Sequence, residues 1–272
     1  MAEIMPRPAA TVTLIRDGDG GVEILMLQRN LNAGFAPGAY VFPGGTLDAL
    51  DDTSETQALC DGITDEQASR ALGIAAGGLA YWAAAIRESF EEAGLLIAYD
   101  GNRRLVALDD TDVVERFRQH RHALNQGSRS LPDILRRERL TLAADQLAYS
   151  SHWITPATVP RRFDTRFFVA VAPPAQAPLH DNQETISHVW IIPRQALDRH
   201  NRNDFKLSFP TIRTLEEFSA YDTAASLMRA MRAKHDIPAI RPRINKQGAS
   251  LLPGEPGYDQ LASSELQGEW KA

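Results

Sequence analysis

Arg87-Glu88-Ser89-Phe90-Glu91-Glu92-Ala93-Gly94 is the stretch from which the rest of this chain is read. It closes a segment, Leu79 to Ala93, that is rich in alanine and free of interior glycine or proline, and it stops at Gly94, the residue type favoured just past a helix terminus. The segment is predicted to be a helix. Advancing about 100° per residue from Glu88 puts Glu91 at about −60° and Glu92 at about +40°, while Trp82, Ala83, Ile86, Phe90 and Ala93 fall at about 120–220°. One face is acidic and the other apolar. Arg87 lies beside Glu91 and can pair with it. Three like charges near a helix C-terminus oppose the macrodipole and one another, so a cation should accompany them. Hard Mg²⁺ or Mn²⁺ suits carboxylate oxygens, whereas zinc normally takes His or Cys as well. An ordinary solvated acidic helix would carry the same letters.

Upstream, Thr11 to Arg16 and Val22 to Arg29 read as strands joined by Asp17-Gly18-Asp19-Gly20-Gly21, a hairpin turn. Ala39 to Phe42 reads as a short strand ending at Pro43-Gly44-Gly45, where backbone can approach a ligand closely. Residues 47–78 are polar and small and are predicted to be an insertion, with a short helix starting at Thr64. Downstream, Leu95 to Tyr99 reads as a strand, and Thr111 to Leu124 and Leu131 to Leu142 as helices. Residues 101–140 hold nine arginines against six acids, which points to a solvated helical insertion rather than a binding patch. Tyr149 to Ile154, Phe163 to Val171 and Thr185 to Ile192 are further strands. A short helix from Pro193 to Leu197 and one long helix from Pro210 to about Ala233 follow. Beyond Ile237, proline and glycine recur, which predicts an extended arm.

Glycine bend before acidic helix is the order that resembles the Nudix hydrolase family. Gly45 matches its leading glycine, and Arg87, Glu88, Glu91, Glu92, Gly94 and Leu95 match the second half of its signature; Ser89 replaces an apolar residue. The two halves are separated by 41 residues, far more than the family pattern has, so its upstream glutamate could be replaced by Asp48, Asp51, Asp52 or Glu55. A split signature is similar to the branch related to peroxisomal coenzyme A diphosphatases. Leu25 to Arg29, Gly38 to Gly45, His152 to Pro156 and Arg161 to Phe168 also resemble that branch.

The resemblance implies an α/β fold: a Nudix α/β/α sandwich with a mixed sheet over residues 8–235, helical insertions at about 47–78 and 104–148, and a C-terminal extension over 236–272. It implies Mg²⁺ or Mn²⁺ held by Glu88, Glu91 and Glu92, with Arg87 in the catalytic set. The implied reaction is hydrolysis of a nucleoside diphosphate linked to another moiety. The branch points to coenzyme A or an acyl-coenzyme A, cleaved to 3′,5′-ADP and (acyl-)phosphopantetheine. One of the glutamates, or Glu184 ahead of a late strand, would be the general base. Gly44, Gly45, Arg29 and Arg166 are the candidate substrate contacts, the arginines because guanidinium binds phosphate through two parallel hydrogen bonds. The alternative is a nucleotide-binding or regulatory domain of the same fold without turnover.

Composition fits these expectations. At 272 residues, 43% hydrophobic and with a net charge of −6, the chain can build a core and is poorly suited to non-specific nucleic-acid binding. Lone Cys60 leaves no internal disulfide or thiolate metal cluster and fits a reducing cytoplasm. No membrane-length apolar run, no signal-peptide pattern over Met1 to Ala10 and no peroxisomal address at Glu269 to Ala272 is read. His120 and His122 alternate on a helix and diverge, and Trp153, Trp190 and Phe168 read as core. No phosphate-loop signature or nucleophile elbow is found, so the nucleophile is expected to be water. Whether the arm builds a homodimer stays open.

Overall fold

The computed structural model describes residues 5–32, 36–179 and 185–261. In chain order the elements are strands β1 (Arg7–Gly18), β2 (Gly21–Arg29), β3 (Tyr40–Val41) and β4 (Gly44–Thr46), a 3-10 turn (Ala49–Asp52), helix α1 (Ser54–Ala58), β5 (Cys60–Asp61), α2 (Asp65–Leu72) and α3 (Leu79–Ala93). Next come β6 (Ala98–Tyr99), α4 (Thr111–Asn125), α5 (Leu131–Glu138), β7 (Thr141–Ala143), β8 (Ala148–Ile154), β9 (Phe163–Val171) and β10 (Thr185–Ile191). Helices α6 (Pro193–Asn201), α7 (Phe209–Phe218) and α8 (Ala224–Arg232) precede short strands β11 (Ala239–Ile240), β12 (Arg243–Ile244) and β13 (Ser250–Leu251).

The main sheet has the order β10-β2-β1-β9-β8-β11, with β3 added to β2 and β4 to β1. It is mixed: β1 runs parallel to β9 and β8 parallel to β11, while β1 with β2 and β8 with β9 are antiparallel. Its strands are apolar at successive positions because both faces are covered. Leu14, Leu25, Leu27 and Phe168 turn to the α3 side, where Trp82, Ile86 and Phe90 meet them. Ile15, Ile24, Met26, Phe167 and Val169 turn the other way, onto Phe218, Leu227 and Met231 of α7 and α8. Three layers result, helix on sheet on helix, and α3 lies in the larger core.

Several element limits differ from the sequence reading, each for a local reason. The expected helix from Pro210 to Ala233 is two helices. Thr223 starts α8 with a reciprocal cap, its hydroxyl accepting from Ser226 N, and Ala224 N donates to Asp17 Oδ1 at the β1 turn at 2.7 Å. The helix expected over Leu131 to Leu142 ends at Glu138, since Arg139 turns left-handed (φ 57°) and Thr141–Ala143 is taken into a small sheet between β5 and β6. Only Ala98–Tyr99 of the expected 95–99 strand pairs, and the Pro193 helix runs on to Asn201. The start of the C-terminal segment joins the fold, with Ala239 and Ile240 opposite His152 and Trp153. No helix among the described residues is long and apolar enough to cross a membrane.

Phe168 is fully buried and packs against Trp82 with the rings tilted at 58° and 4.6 Å between centroids. Phe168→Ala should cost about 3–5 kcal/mol of stability, read as a lowered urea midpoint with an unchanged slope.

Candidate functional site

Glycine at 45 determines how the acidic helix meets the sheet. A Cβ there would lie 2.4 Å from Glu88 Oε1, so only the bare backbone lets that carboxylate sit under β4. Neighbouring Gly44 donates its N–H to Glu92 Oε2 at 3.2 Å, and a Cβ on it would meet Thr11 and the Ala10 carbonyl. The close approach read from Gly44-Gly45 is therefore made to the acidic helix itself.

Arg87 organises the remaining acids. Its Nε and NH2 grip Asp51 (3.0 and 2.9 Å), NH1 donates to Glu88 Oε1 and Glu91 Oε2 (both 2.9 Å), and NH2 also reaches Thr46 O at 3.0 Å. The Arg87–Glu91 pair expected from helix spacing is present. Of the four acids that could replace the upstream glutamate, Asp51 is the one delivered to Arg87 and is only 4% exposed. Asp48 instead caps the 3-10 turn, and Glu55 pairs with Arg136. The ordinary solvated acidic helix that would carry the same letters is not what forms: Glu88 and Glu92 are buried, and Glu91 is half-buried. The insertion before α3 and strand β4 cover that side, which helix periodicity alone does not reveal.

Burial pushes the Glu88 carboxyl up to about 7; Arg87 opposes the rise, while Glu91 and Asp51 add to it. Glu91 is raised for the same first reason, burial, and Arg87 again opposes. Among the described residues no three His, Cys, Asp or Glu side chains stand assembled around a metal position. The donor chemistry nonetheless fits a hard divalent ion. One guanidinium faces Asp51, Glu88 and Glu91, which leaves the cluster short of positive charge, and every side chain on offer is a carboxylate.

Arg166 is buried in a second polar cluster on the α3 side of the sheet. Ala10 lies between it on β9 and Gly45 on β4 in register. Its NH1 donates to His152 Nδ1 and to Tyr149 Oη (3.3 Å), and the guanidinium lies 5.7 Å from the Tyr81 ring on α3. Because Arg166 can only donate, His152 Nδ1 accepts, and Nε2 carries the proton shared with Asp164. Burial raises the Asp164 carboxyl, but His152 and Arg166 hold it below its ordinary value. Among the described residues, the buried Arg166 Nε has no hydrogen-bond partner. Arg29 ends β2, half-buried, opposite Thr185. Glu184 lies outside the described residues.

Other candidates resolve into packing. His120 is buried, with Nε2 on Glu138 at 2.9 Å and Nδ1 taking a hydrogen bond from Arg129. Phe168 and Trp153 are core residues, and Trp190 lies under Arg16. Burial, with Asp51 adding to it, pushes the Cys60 thiol up to about 12, which makes it a poor nucleophile. A cavity of about 430 Å³, lined by Trp153, Glu217, Lys234 and Leu252 among others, has no α3 residue in its wall. Lys234 spends its charge there on Glu217 and Ser150 O.

Comparison with known proteins gives a consistent picture. A family model described as the NUDT19 Nudix domain matches residues 60–218. "Acyl-coenzyme A diphosphatase NUDT19" of Xenopus laevis is 28% identical over 206 residues, covering 65% of this chain and 54% of that protein. The Homo sapiens protein of the same name is 27% identical over 237 residues, 74% of this chain and 62% of the other. This chain thus spans little more than half the length of these relatives. A crystal structure of a Nudix hydrolase from Alicyclobacillus acidocaldarius superposes with a TM-score of 0.69 at 27% identity, covering 84% of this chain and 97% of that one.

Two outcomes follow from the geometry. Gly45→Ala should displace the Glu88 carboxylate from Arg87 and cost about 1–3 kcal/mol, read by chemical denaturation. A raised Glu88 binds its proton more tightly folded than unfolded, so its contribution to stability is fully present below its ordinary value and is lost as pH rises through about 7. With EDTA present, the melting temperature of the wild type should fall relative to that of Glu88→Gln between pH 5 and pH 8; parallel curves would show that Glu88 does not titrate there.

Proposed function

Because the chain belongs to the Nudix hydrolase family, in its NUDT19 branch, we propose that it hydrolyses the diphosphate of a nucleotide joined to another moiety, with coenzyme A or an acyl-coenzyme A as substrate. The observation that carries this reading is the buried carboxylate cluster organised by Arg87 beneath Gly45, on the helix that the family model matches.

Glu88, Glu91 and Glu92 are the residues that would hold Mg²⁺ or Mn²⁺. When bound, such an ion supplies charge neutralisation for a diphosphate and eases deprotonation of water. The protein's own part is positional. Arg87 fixes one oxygen each of Glu88 and Glu91, and Gly44 N fixes Glu92, so the three side chains are aimed before a ligand arrives. Hydrolysis breaks one phosphoanhydride P–O bond and adds the elements of water, and a base must take the water's proton. Glu88 is one candidate for that base. Glu91 and Glu184 are the other candidates. Arg29 and Arg166 are proposed to contact phosphate groups, and residues 236–272 to form an accessory arm on a catalytic domain of 8–235.

The substrate assignment rests on the relatives' name and on the split signature. A nucleotide-binding domain without turnover has no use for the complete Arg87, Glu88, Glu91 and Glu92 set. With Mg²⁺, the purified chain should convert coenzyme A to 3′,5′-ADP and 4′-phosphopantetheine, identified by mass spectrometry, and Glu91→Gln or Glu92→Gln should lower turnover by roughly 100-fold or more. Activity confined to ADP-ribose or dinucleotides would overturn the substrate, and full activity in both variants would overturn the carboxylate roles.

A further inference from the structure

The last four carbonyls of any α-helix lack intrahelical partners, and in α3 that last turn carries Glu91 and Glu92. Each of the four is satisfied, and the donors differ in kind. Phe90 O accepts from Gly94 N, within the helix's own glycine cap, and Ala93 O from Leu179 N. The two between them belong to Arg121, which reaches across from α4: its Nε donates to Glu91 O and its NH2 to Glu92 O, both at 2.9 Å. Asn125, one turn along α4, adds a bond to Glu91 O at 3.3 Å. Arg121 is only 7% exposed, in a helix most of whose residues face solvent.

The opposite end of α3 shows the complementary arrangement. Gly78 provides no side-chain cap; instead Asp65, at the start of α2, accepts from Leu79 N at 2.9 Å and from Gly77 N at 3.1 Å. An acid thus stands at the positive end of the helix dipole and a guanidinium at the negative end. Both come from the insertions that sequence reading treats as additions to the fold.

We infer that Arg121 is a positioning residue for the carboxylate site: α4 supplies the cation that holds the last turn of α3 wound and directs Glu91 and Glu92 toward a divalent ion. This rests on the proposed metal-dependent function. Without the guanidinium, Glu92 O loses its Arg121 donor and Glu91 O keeps only the longer bond from Asn125, and the negative helix end loses the cation that faces it from α4. Glu91 and Glu92 belong to that turn. Asp65 acts more than two turns away from Glu88, and terminal effects fade within about one turn. The two caps should therefore separate: each supports stability, and only Arg121 supports metal binding.

The test compares Arg121→Gln, Arg121→Lys and Asp65→Asn with the wild type, using the melting temperature and the affinity for Mn²⁺ alone, measured by water-proton relaxation. Arg121→Gln and Asp65→Asn should both melt earlier. Arg121→Gln should bind Mn²⁺ about tenfold more weakly and Arg121→Lys about threefold, because an ammonium restores the charge without the two-pronged geometry. Asp65→Asn should bind as the wild type does. Wild-type Mn²⁺ affinity in a folded Arg121→Gln, or equal weakening in Asp65→Asn, overturns the inference. If Arg121→Gln does not fold, wild-type affinity in Arg121→Lys overturns it. A wild-type chain that binds no Mn²⁺ overturns the metal-dependent function itself, and this inference with it.

Discussion

One guanidinium, that of Arg87, joins α3 to two elements about 40 residues earlier in the chain. It ties Asp51 of the 3-10 turn, the Thr46 carbonyl of β4 and two glutamates of α3 into one buried knot. A buried ion network of this kind gains little net stability over apolar packing, because desolvation offsets most of the attraction. Breaking it is expensive, since the surviving carboxylates would stay in low dielectric without their cation. The network therefore works mainly as a constraint on geometry. It sets where Glu88 and Glu91 point and admits the first insertion only in the placement that brings Asp51 to the site.

That constraint needs a rigid frame, and the sheet provides it. With both faces covered, every strand shift would move an apolar row out of its core. β1 is the hub, pairing with β9 on one side and with β2 and β4 on the other. Glu88 beneath Gly45 and Arg166 beside Ala10 are consequently held in fixed relation through one strand. The two insertions, which lengthen the chain without adding strands to the main sheet, contribute Asp51, Asp65 and Arg121, all of them at contacts with α3.

Much of this was legible in the letters. The acidic helix, the hairpin before it, the short strand at Tyr40–Val41 and the later strands all have strong local signatures, and so does the Arg87–Glu91 pair, set by helix spacing, whereas Gly44 and Gly45, read as a bend, belong to β4 because they pair with β1. Two errors have a common origin. The break between α7 and α8 and the early end of α5 are places where a cap or a left-handed residue competes with helix propensity, and a tertiary contact tips the balance, as Asp17 does for Ala224. Asp51 was visible only as one of four equivalent acids, because burial and the direction of approach select among them. Arg121 carried no signal at all: one arginine among nine in an arginine-rich segment gives no hint of which carbonyls it will reach.

By itself, the sequence determined what depends on neighbours within about a dozen residues: which segments coil or extend, that glutamates at 88, 91 and 92 share a helix, and that the backbone at Gly44 and Gly45 is bare enough for a close approach. Only the tertiary structure decided which of those groups are buried, which acid completes the set around Arg87, and which basic side chain closes the end of the helix. The division has a physical cause. Helix and strand periodicity follow from backbone geometry, whereas desolvation and charge pairing depend on distances between elements that the chain brings together only when it folds.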